Sequence, residues 1–467
     1  MKLSKKFAVA VAASALIGSA GLVNPVQAAT ADNIVAGGAT FPQNLIESCR
    51  ATFPGDATAN PNAATVNYTG VGSGTGRTNF YANTYDFAMS DSMWSSSNSG
   101  YRNSFVWLPL ISGAIDVAYR LDGVKPAGTV LQLTPTTLAK IFAGTVKTWN
   151  DASIKADNPV AAKPNLSGLN GAATFSIAQK KTKAALTVNL KKSVVNAKTK
   201  NMVVTSSVDG GVTTTKVYDK KPMAGKIVLS LPYTMGAEYT ITYNKVVLGT
   251  VSIDATSVIL PATPITVYHR KETSGTTNNF LNYLNKTVPA VWTTSAADAF
   301  IVPTGTNPTD GSFVGAQGND GVANGVMNKD GGIGYAEVSF VNERQVAGKL
   351  ITPAKIMNPA GVFLAGSSAG AAKFVSAATV NDTTGVVTFD YTTKVADAYP
   401  ITAVSYAMAN TSANTNAANT AAKMLTAQRF VNYVLDTCAP AVGEIKGYAA
   451  LPANIVAIAK TLAANIK

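Results

Sequence analysis

Three short turns hold the residues best suited to chemistry: Ala39-Thr40-Phe41, Gly72-Ser73-Gly74 and Ser274-Gly275-Thr276. Each stands where a helix should begin, and Pro42 behind the first turn suits a first helical position. A helix N-terminus presents unpaired N–H groups and a partial positive charge, so three of them converging would make a cradle of neutral donors for an anion. Thr40, Ser73, Ser274 and Thr276 would add hydroxyls. Taken singly, each turn is an ordinary helix cap. The remaining inventory is short, with one His (His269) and two Cys (Cys49, Cys438). That excludes His-rich zinc sites and Cys-Cys metal cages, and leaves Ser-His-Asp chemistry only His269 to work with. His269 alternates with Val267 on a strand and is expected to be solvated or capped; no metal site and no cofactor is expected.

The elements that must position these turns alternate strand and helix. Val35-Ala36 leads into the first turn, and Leu45, Cys49 and Phe53 recur every four residues on one helical face. Val66 to Tyr68 runs into the second turn, and Thr134-Pro135 opens a helix with Leu138, Ile141 and Phe142 that Gly144 stops. From about Gly168 to Ser257 the texture changes. Leu186, Val188 and Leu190, then Ile227, Leu229 and Leu231, then Tyr239, Ile241 and Tyr243 alternate with polar or facing residues. Strict period two without a helical stretch predicts an inserted all-β, Ig-like sandwich. The insert is rich in Lys (Lys180, Lys181, Lys183, Lys191, Lys192, Lys220, Lys221) and carries most of the chain's net charge of +13.

After Pro261 the α/β texture resumes with strand Ile265 to Tyr268, the third turn, and a helix with Phe280, Leu281 and Leu284 on one face. Two C-terminal helices follow, one with Leu425, Phe430, Val431 and Val434, the other opened by Pro452. Lys2, Lys5 and Lys6 before an apolar stretch that ends in Val26-Gln27-Ala28-Ala29 mark residues 1–29 as a secretory signal peptide, without a Cys to take a lipid. Export permits oxidation, so Cys49 and Cys438 are expected to form a disulfide, with two buried thiols as the alternative.

Eight segments, in order along nearly all of the chain outside the insert, resemble the PstS-type phosphate-binding proteins of phosphate ABC importers. They are Gly38 to Pro42, Tyr68 to Gly74, Asp86 to Asp91, Leu138 to Asp151, Arg270 to Thr276, Gly318 to Gly321, Gly332 to Glu337, and Tyr399 to Thr402. The resemblance implies an α/β, two-lobed type II periplasmic-binding-protein fold, crossed near Ser112-Gly113-Ala114 and again near Pro400. Residues 33–113 and 400–467 would form lobe 1, and 114–167 and 258–399 lobe 2, with 168–257 inserted. It implies phosphate contacts from the backbone of Ala39, Thr40 and Phe41, from Ser73, Asp91 and Arg270, and from Ser274, Gly275 and Thr276. Glu272, where the family usually has Asp, would pair with Arg270 from behind. Arg270 offers a planar donor fork, and a carboxylate at Asp91 accepts from protonated phosphate and repels sulfate.

The function this implies is high-affinity phosphate binding for delivery to an ABC permease, by a monomer without enzymatic activity, in the periplasm or at the cell surface. Nucleic acid is not an expected partner. The alternative is a secreted adhesion or matrix protein whose basic insert binds anionic envelope polymer. A phosphatase would need a nucleophile with a base, or two metals, and neither is visible in the sequence.

Overall fold

Short apolar runs that end in small residues build the scaffold. In the computed structural model, which describes residues 32–93, 105–161, 165–168, 173–180, 183–190, 201–207, 214–221, 227–232, 234–303, 311–345, 350–411 and 420–467, strands β1 (Ile34–Gly38), β2 (Val66–Gly70) and β3 (Phe87–Ser90) pair in parallel. β1 lies between the other two. The expected signal peptide lies outside the described residues. A second parallel set is formed by β5 (Thr266–Arg270), β6 (Phe313–Ala316) and β7 (Gly332–Glu337), with β5 in the middle.

Two long strands join these sets into one sheet. β4 (Phe105–Tyr119) pairs antiparallel with β7 through Ile115 to Tyr119, and with β8 (Thr402–Asn410) through Phe105 to Ala114. β8 in turn pairs antiparallel with β3. The order is therefore β6-β5-β7-β4-β8-β3-β1-β2, a mixed sheet that curls from one half of the molecule into the other. β4 is buried from Leu108 onward and β8 throughout, so both faces of the crossing strands are covered, as a near-continuous apolar run requires. Tyr399 fastens the crossing by donating its hydroxyl to the Ile115 carbonyl at 3.0 Å.

Helices α1 (Gln43–Thr52), α2 (Ser73–Tyr81), α3 (Gly275–Thr287) and α4 (Gly318–Asn328) each follow a parallel strand or its turn. Leu45, Cys49 and Phe53 are all buried, on the spacing the sequence shows, although Phe53 already belongs to a closing 3₁₀ turn. Cys49 is disulfide-bonded to Cys438, Cα to Cα 5.6 Å, tying α1 to the π-helical turn Val434–Cys438 after the helix Ala421–Tyr433. That helix corrects one expectation: Leu425 is exposed, and the buried stripe runs instead through Met424, Ala427, Phe430 and Val431 before reaching Val434. Counting in steps of three and four from Met424 gives that stripe, whereas Leu425 lies off it.

The period-two segments form two antiparallel sheets. One has the order Thr215–Lys220, Met202–Ser207, Glu238–Tyr243, Val246–Ser252, Asn165–Ser167; the other Ile227–Pro232, Lys183–Leu190, Ala173–Lys180. Leu229 and Leu231 of the second sheet pack with Met202, Val204, Tyr239, Ile241 and Val251 of the first, in a core separate from that of the α/β body. A short ladder, Pro159–Ala161 against Ala255–Ser257, closes the base of the insertion.

Candidate functional site

The three turns lie at the C-terminal ends of parallel strands, where α/β sheets place their ligands. β1 delivers Ala39 to Pro42, β2 delivers Gly72 and Ser73, β3 delivers Asp91 and Ser92, and β5 delivers Glu272 to Thr276. The structure brings these segments together from the two halves of the sheet. Their contact is so close that a Cβ on Gly275 would stand 2.6 Å from Ser73 Oγ and 2.8 Å from the carbonyl carbon of Asp91. Gly72, at φ +94°, likewise passes within van der Waals range of Glu272 and Thr273, so glycine is required there twice over.

Backbone donors supply most of the cradle. The N–H groups of Thr40, Phe41, Ser73, Gly275 and Thr276 have no hydrogen-bond partner among the described residues. The last three are the opening residues of α2 and α3, where no preceding turn can accept from them. Ala39 differs from the expectation. Its N–H donates to the Met89 carbonyl at 2.8 Å and its carbonyl accepts from Tyr68 Oη at 2.6 Å, so it offers no free backbone donor. The strand ladder simply runs one residue further than the Gly-rich turn suggests.

Hydroxyls occupy defined places around these donors. Ser274 Oγ caps α3 by accepting from Thr277 N–H, and Ser73 Oγ accepts from Asp91 N–H at 3.2 Å. Thr40 Oγ1 accepts from Asn319 Nδ2 at 3.0 Å, while Asn319 Oδ1 accepts from Glu337 N–H. Asn319 lies in a motif the sequence shows, yet its polar role is visible only once α4 is placed against the first turn.

The charged pair is largely enclosed. Arg270 is 2% exposed; its Nε donates to Glu272 Oε1 at 2.6 Å, Nη2 pairs with the same oxygen, and Nη1 donates to Thr276 Oγ1 at 3.1 Å. Glu272 also accepts from Gly318 N–H at 3.1 Å, so it orients the guanidinium as expected. Asp91 is 4% exposed, accepting from Ser405 Oγ at 2.7 Å through Oδ1 and from Thr276 Oγ1 at 3.3 Å through Oδ2. Burial pushes its pKa up to about 6, against the pull of the Ser405 hydrogen bond and the Arg270 charge. Asp91 is thus still ionised at neutral pH. Ser405, from β8, is a partner that no sequence signal identified.

His269 stands aside from this group. It is buried rather than solvated, stacked on Phe300 with ring centroids 4.5 Å apart, and its Nδ1 meets the Arg270 carbonyl at 3.0 Å. Burial lowers its pKa, which keeps it a neutral packing residue. Among the described residues, no cluster of three or more His, Cys, Asp or Glu could hold a metal ion.

Two sheet halves joined by crossing strands, with donors from both halves brought together between them, give a mixed, curled α/β fold of the periplasmic-binding-protein kind. The PBP superfamily domain matches residues 24–259 and 252–437, and the chain belongs to that family. Its relatives bear out the resemblance read from the motifs. The phosphate-binding protein PstS 3 of Mycobacterium leprae is 25% identical over 352 residues, which are 73% of this chain and 64% of that protein. The phosphate-binding protein PstS of Xylella fastidiosa is 26% identical over 379 residues, 80% of this chain and 70% of that one. Nothing among these relatives supports an adhesion protein.

The fold is shared with a DING protein, TM-score 0.52 at 17% identity over 92% of this chain and 94% of that one. It is also shared with a high affinity periplasmic phosphate-binding protein bound with phosphate, TM-score 0.51 at 17% identity over 92% and 93%.

Proposed function

We propose that the chain captures inorganic phosphate in this cleft and presents it to an ABC permease. The observation that carries this reading is a buried carboxylate, Asp91, inside a cradle otherwise built from donors. Five free N–H groups and the Arg270 fork suit any tetrahedral oxyanion. Asp91 suits only one that brings its own proton, since a carboxylate can accept from phosphate but has nothing to accept from sulfate. The ligand set is Thr40, Phe41, Ser73, Asp91, Arg270, Ser274, Gly275 and Thr276, with Glu272 behind Arg270 and Ala39 shaping the turn.

The protein works as a monomer of two lobes that divide near Ser112 to Ala114 and near Pro400, and closure over the anion requires no chemistry beyond differential affinity of the open and closed states. Its disulfide and its amino-terminal leader suit an exported protein.

Equilibrium dialysis of labelled phosphate against the purified chain tests the reading. Wild type should bind, and Arg270→Met, which leaves Glu272 buried without its cation, should weaken binding by about 100-fold or more. Equal retention by both would remove Arg270 from the site.

A further inference from the structure

Arg77 lies on α2, one helical turn beyond Ser73, outside every motif of the resemblance. The first half of the molecule holds its guanidinium from one side: Nη1 donates to Ser90 Oγ at 2.8 Å, to the Ser92 carbonyl at 2.9 Å and to Ser92 Oγ at 2.7 Å. Nη2 reaches across the cleft and pairs with Asp298 Oδ2.

Asp298 is fixed just as firmly to the other half. Its Oδ1 accepts from Asn278 Nδ2 at 3.0 Å on α3, and its carbonyl accepts from Ser274 N–H at 2.9 Å. It is therefore fastened to the turn whose free N–H groups line the cradle. Both side chains are largely enclosed, at 10% and 16% exposure, so the pair is little screened by salt.

We propose that Arg77 and Asp298 form a latch across the cleft that is made when the two halves meet and that sets how long the bound anion stays. The proposal rests on the phosphate reading above and adds a residence-time device to it. Opening the cleft must break this ion pair, whereas Arg77 keeps Ser90 and Ser92, and Asp298 keeps Asn278 and Ser274. The contacts within each half position the two charged groups in advance, and the bridge between them is made on closure. Since neither side chain belongs to the ligand set, the latch acts on the closed population and hence on escape.

Removing one partner leaves the other charge buried and unpaired, which disfavours the closed state more than removing both. The two single losses are not equivalent. Asp298 lies near enough to Asp91 that its charge opposes the ionisation of Asp91, so without Arg77 two carboxylates face one another across the cleft. Loss of Arg77 should therefore do more harm than loss of Asp298.

Stopped-flow measurement of phosphate association and release from wild type, Arg77→Met, Asp298→Asn and the double variant tests this. Arg77→Met should release phosphate about tenfold faster or more, with association within about threefold of wild type, Asp298→Asn should release it at an intermediate rate, and the double variant should be no faster than Arg77→Met. Release from Arg77→Met within about twofold of wild type, or single effects that multiply in the double variant, would overturn the latch. So would association and release changing together with a lower melting temperature of the ligand-free variant, which is the signature of a merely structural role.

A wild type that binds no phosphate would remove the functional reading alone. The latch is then judged by small-angle scattering of the ligand-free protein. A larger radius of gyration for Arg77→Met than for wild type supports it, and equal radii contradict it.

Discussion

Under the proposed function Asp91 selects the anion, because its carboxylate accepts and cannot donate, unlike the N–H groups and hydroxyls around it. Its carboxylate is already engaged by Ser405 and Thr276, and burial raises its pKa to about 6 without bringing it to neutral pH. Replacing it as Asp91→Asn should narrow the preference for phosphate over sulfate at pH 8, since an amide can turn to donate to sulfate. Facing an aprotic anion with an unmatched buried acceptor costs about 1–3 kcal/mol, so the wild-type preference should be about tenfold or more. The pH dependence has a definite sign. As pH falls through about 6, Asp91 takes up a proton and becomes a donor, so sulfate affinity of the wild type should rise while that of Asp91→Asn stays flat. Competition of sulfate against labelled phosphate from pH 5 to pH 8 measures both.

Each turn alone is an ordinary helix cap, and the turns were legible because eight segments keep one family's order; Arg270 and Glu272 were legible because they sit in one of those segments. Ser405, Arg77 and Asp298 were not. Each is an ordinary polar residue in its own segment, and its meaning comes from a partner far along the chain.

Elements hold these residues by means that the sequence shows unevenly. The helix starts and the insert's alternating strands could be read directly, since each has one covered and one open face. β4 and β8 carry no such alternation. Both of their faces are buried, so a fifteen-residue strand reads as an unpatterned apolar run broken by Pro109. The resemblance leads to an expected crossing near Ser112-Gly113-Ala114 and Pro400, but not to the two long paired strands, β4 and β8, that join the sheet halves. The free N–H of Ala39 was lost to the same cause, an extension of β1 toward Met89 that only the neighbouring strand reveals.

The Cys49–Cys438 bond belongs to this scale as well, because it clamps α1, directly behind the first ligand turn, to the C-terminal helical segment. It closes a loop of 389 residues in sequence separation, for which the chain-entropy model gives an upper limit of about 6 kcal/mol. Thermal melting with and without reductant, or of Cys49→Ser/Cys438→Ser, should show lower stability without the bond. An unchanged melting temperature would mean that the packing of Phe53 against Phe430 and Tyr433 holds the two segments unaided.

For the whole molecule, charge and function are separated in space. Most of the net +13 lies in residues 168–257, while the cradle is built mainly from neutral donors with Arg270 offset by Glu272. Long-range attraction from the insert can speed encounter with an anion, yet it supplies none of the contacts that hold one. The insert also has its own core and joins the α/β body beside the short ladder at Pro159–Ala161. Excising residues 168–257 with a short linker should therefore leave phosphate affinity within about threefold and reduce the association rate at low salt. Loss of binding in a folded deletion would show that the sandwich completes the cleft.

We propose that this closed, donor-lined cleft selects phosphate because Asp91 sets a carboxylate against the anion. Calorimetric titration of the wild-type chain at pH 8 with phosphate and then with sulfate tests it most directly. Phosphate should bind tightly and one to one, and sulfate more weakly by about tenfold or more, without displacing phosphate at equal concentration. Equal affinity for the two anions, or heat from sulfate alone, would contradict it.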